Sequence, residues 1–312
     1  MGREANIDSI RALDEQIIKL KRTRNSLLNI SARVPPEILG YIFAWSLARK
    51  PGRSLDYLHF DGLRKGSYNF LLVCHHWFEV ACRTPELWSF WGATLQDWQK
   101  RHHHAGTSPL DLVLDRYKCD SNVHFDGSLQ SAVRARAIQN TIRQVHLRSD
   151  DNETMASVIS LLTPGDDETT QNQNIESIVW ESEGAPPVDI SNFFARSCLS
   201  KLYLLHLSGG FRISSWDRLA HRTTLLTVLS LQIDESPQLP IPTTPQLFSI
   251  LASYPNLRQL ALSGAVIPIS TDGSTLEMPL RNLKLLSLMG EFRPILGLLS
   301  QLVGLLSQLV VG

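Results

Sequence analysis

The chain has 312 residues, 43% apolar and 19% charged, with 30 basic side chains against 30 acidic ones. That size and balance describe an ordinary globular chain of two or three domains able to bury a sizeable core. Zero net charge gives no electrostatic footprint for nucleic acid or an anionic lipid surface, because phosphate recognition relies on clustered Lys and Arg, and four cysteines without CxxC spacing support neither a disulfide framework nor a zinc module.

At the N-terminus, Arg3 and Glu4 stand where a secretory leader would need an apolar run, so the expected compartment is reducing, cytoplasmic or nuclear. The Asn152-Glu-Thr154 sequon then reads as chance. Residues 1–30 form the first expected element, a heptad helix. Ile10, Leu13, Ile17, Leu20 and Leu27 repeat at alternating spacings of three and four, with Arg24 standing at the next apolar position. Under three heptads, such a helix depends on packing. It either docks on its own chain or self-associates through residues 10–28, and the basic run Lys19 to Arg24 is a solvated helix face.

The stretch RVPPEILGYIFAW, residues 33–45, specifies a second helix. A residue before proline is pushed to extended backbone, which keeps Val34 and Pro35 outside, whereas Pro36 suits a first turn where a missing N–H costs nothing. Glu37 sits where the helix dipole favours an anion. Ile38, Ile42 and Trp45 then form one apolar stripe, extended by Tyr41, and Leu39, Phe43 and Leu47 a second beside it. Two stripes exceed one contact, so the helix is expected to pack on its own small domain with one side and on a partner with the other.

Residues 50–68, rich in Gly, Pro and charge, read as an insertion. Helical patterning resumes with Leu71, Leu72, Cys74 and Phe78, and Thr84-Pro85-Glu86 marks another helix start ahead of Leu87 and Trp88. The pair VPPEILGYIF and LLVCHHWFEVACRTPELW resembles the F-box of fungal F-box proteins. That pattern runs as an apolar residue, two prolines, Glu, Ile, Leu and Ile-Phe, and later Val-Cys, a Trp and Leu-Trp. Here it departs in having Val34 for the usual Leu and a longer insertion. The resemblance covers residues 33–91, within a helical domain expected at 31–93, and implies docking on the Skp adaptor of a Skp/cullin/F-box ubiquitin ligase. Carried over to this chain, it makes Val34, Pro35, Ile38, Leu39, Ile42 and Phe43, with Leu72, Val73 and Trp77, the adaptor contacts.

Residues 94–107 are expected to be a linker, with His102, His103 and His104 in a solvated loop. From residue 108 the texture changes. PLDLVLD alternates as a half-buried strand, and a pattern apolar-x-x-apolar-x-apolar then recurs at 142, 175, 202, 226, 257 and 283, with helix-like stretches in the gaps. One strand and one helix per 24 to 33 residues is the unit of a leucine-rich-repeat-like β/α solenoid over residues 108–312. Three residues after each last strand position a regular repeat carries an Asn ladder. Here Asp150, Glu183, Gly210, Asp234, Ala265 and Glu291 stand instead, so the solenoid is expected to be irregular. Arg143, His146, Tyr203, His206, Arg258 and Lys284, between the apolar positions, would face a protein substrate. The fold class expected for the whole chain is therefore a small helical domain followed by an irregular α/β solenoid.

The chain closes on ILGLLSQLVGLLSQLVVG, in which GLLSQLV occurs twice. Eighteen uncharged residues could span a bilayer, but two Gln, two Ser and three Gly favour a last repeat helix with an uncapped end. Neither a Gly-rich phosphate loop nor GxSxG, HExxH or paired CxxC occurs, and Cys74-His75-His76 are neighbours that do not face one another on a helix. The expectation is a non-catalytic receptor without cofactor or metal. It would bind a Skp adaptor, through it a cullin, and an unknown protein substrate, with no nucleic acid and no membrane. The alternative is a solenoid scaffold or sensor whose F-box-like helices recruit no ligase.

Overall fold

The computed structural model describes residues 2–28, 34–47, 69–91, 101, 103–115, 127–139, 141–165, 174–184, 186–214, 216–220, 225–234, 242–264, 266–267, 280–290, 295 and 298–299. The expected insertion at 50–68 and most of the closing GLLSQLV repeats lie outside them. The chain divides into two compact units, Met1–Phe90 with Gln99–Ser108, and Trp91–Trp98 with Pro109–Gly312.

In the first unit α1 spans Gly2–Leu28 and α2 Pro36–Leu47. The amide of Leu39 donates to the carbonyl of Pro35 at 3.0 Å, the first helical bond of α2, so the helix starts where its two prolines direct. Asn69–Leu71 is helical, the chain turns at Leu72 and Val73, and α3 begins afresh at His75 and runs to Cys82. Thr84-Pro85-Glu86 opens a single 3-10 turn, Pro85–Leu87. Its Thr84 hydroxyl points back, donating to the carbonyl of Val80 at 2.8 Å, and so does not cap the turn ahead. Leu39, Phe43, Val80, Ala81, Leu87, Trp88 and Ala105 form the core of this unit. Ala105 is wholly buried and Arg101 nearly so, with an Arg101 guanidinium N–H reaching the carbonyl of Phe90 at 3.2 Å. The segment assigned to a linker from sequence thus has described residues that pack. His104 lies against Trp88 with ring centroids 4.8 Å apart, while His103 is exposed and His102 lies outside the described residues.

The second unit is mixed α/β. Its strands are β2 (Leu110–Asp115), β3 (Ile142–Ser149), β4 (Ser177–Ser182), β5 (Val188–Asp189), β6 (Leu204–Gly209), β7 (Phe211–Arg212), β8 (Val228–Ile233), β9 (Gln259–Gly264) and β10 (Leu285–Met289); β1 is Phe90–Trp91. Between them lie α4 (Gly127–Ile138), α5 (Asn152–Leu162), α6 (Ser191–Arg196), α7 (Asp217–Ala220) and α8 (Thr244–Ala252). Eight strands form one sheet in the order β1-β2-β3-β4-β6-β8-β9-β10, and β5 pairs with β7 in a small second sheet. From β2 to β10 every pairing in the large sheet is parallel. Sheet order follows chain order, as short helical crossovers between adjacent parallel strands require.

The register explains the burial. Val145, Ile178, Leu205, Leu229, Leu260 and Leu286 form one cross-strand row, and Leu147, Trp180, Leu207, Leu231, Leu262 and Leu288 the next on the same face. Both rows belong to or pack on the core cluster that takes in Met155, Val158, Phe193, Phe194, Leu247 and Leu251 from the helices. The units are not equivalent, however. Crossover helices run from four residues at α7 to twelve at α4, so the layer is a mainly parallel α/β sheet and lacks the regular leucine-rich repeat.

Neighbouring units are tied by other means than the ladder whose absence the sequence signals. The amide Nδ2 of buried Asn152 donates to the carbonyl of Pro186 at 2.5 Å, and the hydroxyl of Ser182 donates to Asn152 Oδ1 at 2.6 Å. A glycan on Asn152 is incompatible with this packing. Backbones also approach closely at two glycines. A Cβ on Gly184 would lie 2.2 Å from the carbonyl oxygen of Asp150, and Gly209, at φ 98°, is pressed against Ser182. An Arg134 N–H donates to the carbonyls of Leu161 and Thr163 at 3.0 and 2.8 Å, bringing a cation to the negative end of α5.

Candidate docking surfaces

Two surfaces bring together the residues singled out from sequence. The first is on α2. Leu39 and Phe43 are 2% and 0% exposed, Phe43 stacking on Phe70 with centroids 4.4 Å apart and meeting Trp77 at 4.9 Å. Gly40 lies on the same inner side, where an added Cβ would come within 3.0 Å of the Thr84 hydroxyl. The indole N–H of Trp88 donates to the carbonyl of Ala81 at 2.7 Å, locking the base of this core. On the outer side Ile38, Ile42, Tyr41 and Trp45 are in solvent, Trp45 at 79% exposure.

The contact set implied by the resemblance therefore divides. Pro35, Ile38, Ile42, Leu72 and Val73 are exposed, Leu72 at 82%, because the turn between the helical residue Leu71 and α3 throws it outward. Val34 and Trp77 are half-buried against the core. Leu39 and Phe43 are corrected from surface contacts to interior supports, since a partner could reach them only by opening the unit's own core. Tyr41 and Trp45 belong to the outer surface of α2 and were missing from the expected contacts, as was Phe78 on α3, 46% exposed. The helical stripe joining Ile38, Ile42 and Trp45 was the signal that could have found two of them.

The second surface is the sheet face opposite the apolar rows. Its middle row runs Val113, His146, Val179, His206, Ser230, Ala261 and Ser287 across the strands. His146 and His206 are buried, at 7% and 6%, and are corrected from recognition residues to parts of this enclosed row. They sit between a row beginning at Asp111 and Gln144 and another containing Arg148 and Glu181. Loss of water around the imidazole lowers the pKa of His206 to about 4. The Glu181 carboxylate, 3.9 Å from its Nε2, acts in the other direction but is already held by Arg148 at 3.2 Å, so burial prevails and the ring is neutral.

Arg143 has a structural reason for its position. The pairing of β2 with β3 shifts by one residue between Leu110 and Asp111, which leaves Arg143 as the extra residue. Its Nε and a terminal N–H donate to the two carboxylate oxygens of Asp111 at 3.0 and 2.8 Å, and this hydrogen bonding raises the guanidinium pKa further. Of the six residues expected to meet a substrate, Tyr203, Arg258 and Lys284 are exposed and Arg143 is half-buried in its ion pair.

Among the described residues no group of three or more His, Cys, Asp or Glu is placed to hold a metal ion, and no helix is long and apolar enough to cross a membrane. No protein-family model matches the chain, and no curated protein matches it.

Proposed function

We propose that the chain is the substrate receptor of a Skp/cullin/F-box ubiquitin ligase. Its first unit docks a Skp-type adaptor, and through it a cullin, on the outer ridge of α2. Its α/β unit, a divergent leucine-rich-repeat-like solenoid in this reading, takes a protein target on the open part of the sheet face around Tyr203, Arg258 and Lys284. The receptor performs no bond chemistry. It supplies proximity, holding a target lysine near a conjugating enzyme brought by the other subunits.

One observation carries this reading: α2 divides its apolar side chains between an inner stripe that fills its own core and an outer stripe left in water. Contiguous apolar surface on a helix, in a unit that also exposes Leu72 and Val73, fits a helix-in-groove or helix-on-helix partner better than it fits solvent. The adaptor contacts in this reading are Pro35, Ile38, Tyr41, Ile42, Trp45, Leu72 and Val73, with Leu39 and Phe43 supporting the ridge from behind.

Co-purification of the full chain with a Skp-type adaptor tests it. The wild-type chain should retain adaptor in equal amount, and Ile42→Asp combined with Trp45→Asp should lose it with an unchanged circular dichroism spectrum. A folded wild-type chain that holds no adaptor overturns the reading in favour of a scaffold or sensor without ligase recruitment.

A further inference from the structure

We propose that α1 pairs with the α1 of a second copy of the chain as an antiparallel two-helix coil. Each of its apolar heptad residues is in solvent: Ile10, Leu13, Ile17, Leu20 and Leu27 are 46–71% exposed, and every described side chain from Ile7 to Arg24 is exposed with them. The helix is nevertheless continuous from Gly2 to Leu28. A helix with a single apolar seam of alternating three and four spacing matches another such seam.

Charge decides both the partner and the direction. A parallel pair in register stacks like positions on each other, so Arg24 would meet Arg24 of the second copy inside the seam, and the flanking positions would pair Ser9 with Asp14, Gln16 with Lys21 and Thr23 with Leu28, none of them an ion pair. Reversing one helix places Ile10 opposite Leu27, Leu13 opposite Arg24 and Ile17 opposite Leu20 of the second copy. In that register Asp14 of each copy comes level with Lys21 and Arg24 of the other, and twofold symmetry repeats the contact. Lys21 has Ile17, Ile18, Arg24 and Asn25 as its neighbours three and four residues away, so its own helix offers it no carboxylate and one repelling cation. Sliding the antiparallel pair by one heptad would set Asp14 against Asp14, which leaves the first register preferred. Arg24, which spoils a parallel pair, joins Lys21 in facing Asp14 in the antiparallel one.

Analytical ultracentrifugation of the full chain across a wide concentration range tests this. The mass should rise with concentration from one chain towards two, and Ile17→Asp, at an exposed position, should hold it at one chain with helical content otherwise preserved. Asp14→Lys should weaken the pair by about tenfold, and adding Lys21→Asp should recover most of that loss. A monomer at every concentration overturns the proposal, as does a dimer indifferent to Ile17→Asp. A dimer that Asp14→Lys weakens without rescue by Lys21→Asp overturns the antiparallel arrangement, because in a parallel coil residues 14 and 21 do not meet.

Discussion

The carbonyl oxygen of Ser182 stands where a side chain on residue 209 would begin: a Cβ built on Gly209 would lie 1.6 Å from it. The two residues pair in register at the ends of β4 and β6, and Gly209 turns there with φ 98°, a conformation that L side chains rarely adopt. Gly209→Ala meets both obstacles. It should destabilise the α/β unit by at least about 3 kcal/mol, measured by urea unfolding. A loss under about 1 kcal/mol would mean that the two strand ends separate easily.

Adjacent residues on α2 should behave oppositely. Leu39→Ala empties a fully packed site and should cost about 2–5 kcal/mol of stability, and Phe43→Ala about 3–5 kcal/mol, since Phe43 also loses its stacked partner Phe70. Ile38→Ala and Tyr41→Ala remove side chains already in water and should stay within about 0.5 kcal/mol of wild type. Thermal or urea denaturation of the four variants separates the two faces. Equal losses on both would show that the outer stripe is also interior.

Asn152→Ala removes the amide that joins Ser182 to Pro186 and leaves the Pro186 carbonyl without that donor. A cost of about 1–3 kcal/mol is expected, since a buried polar partner is lost. Asn152→Asp should cost at least as much, because a carboxylate cannot donate to the carbonyl. Chemical denaturation of the two variants is the measurement.

His206 should make stability depend on pH. Its folded pKa, about 4, lies below the ordinary value of 6.5, so between those values the unfolded chain binds a proton that the folded chain refuses. The contribution is therefore full above about pH 6.5 and falls as pH drops towards 4, by about 2 kcal/mol between pH 7.5 and pH 5. Glu181 is the facing carboxylate and Arg148 its competing cation. Unfolding free energies at the two pH values, compared between wild type and His206→Gln, should show that part of the slope disappear in the variant. An unchanged slope would assign it to other groups.

The strands of the second unit were legible in sequence as a pattern, yet their phase was not taken from it. After β3, each strand starts two residues into its motif, at Ser177, Leu204, Val228, Gln259 and Leu285. The leading residues Ile175, Leu202, Leu226, Leu257 and Leu283 are buried just before the strand. The motif itself contains the reason: its first spacing is three, and an odd spacing cannot keep two side chains on one face of an extended chain. Only the second spacing, of two, belongs to the strand.

On α2 the start was legible because proline geometry is local, whereas the sidedness was not, because Ile38 and Leu39 are equally apolar. What separates them is the core behind Leu39, built from Val80, Ala81, Leu87 and Trp88 far along the chain, and the one local sign of it is Gly40, a small residue on the side that approaches Thr84 closely. The bulge that aims Arg143 at Asp111 has no local sign either, since it arises from how two strands thirty residues apart align.

Because sheet order follows chain order from β2 to β10, each strand leaving the ribosome finds the edge it must join already made. The large sheet can zip up during translation, N-terminal strand first, and among the described strands only β5 waits for a later partner, β7, which follows β6.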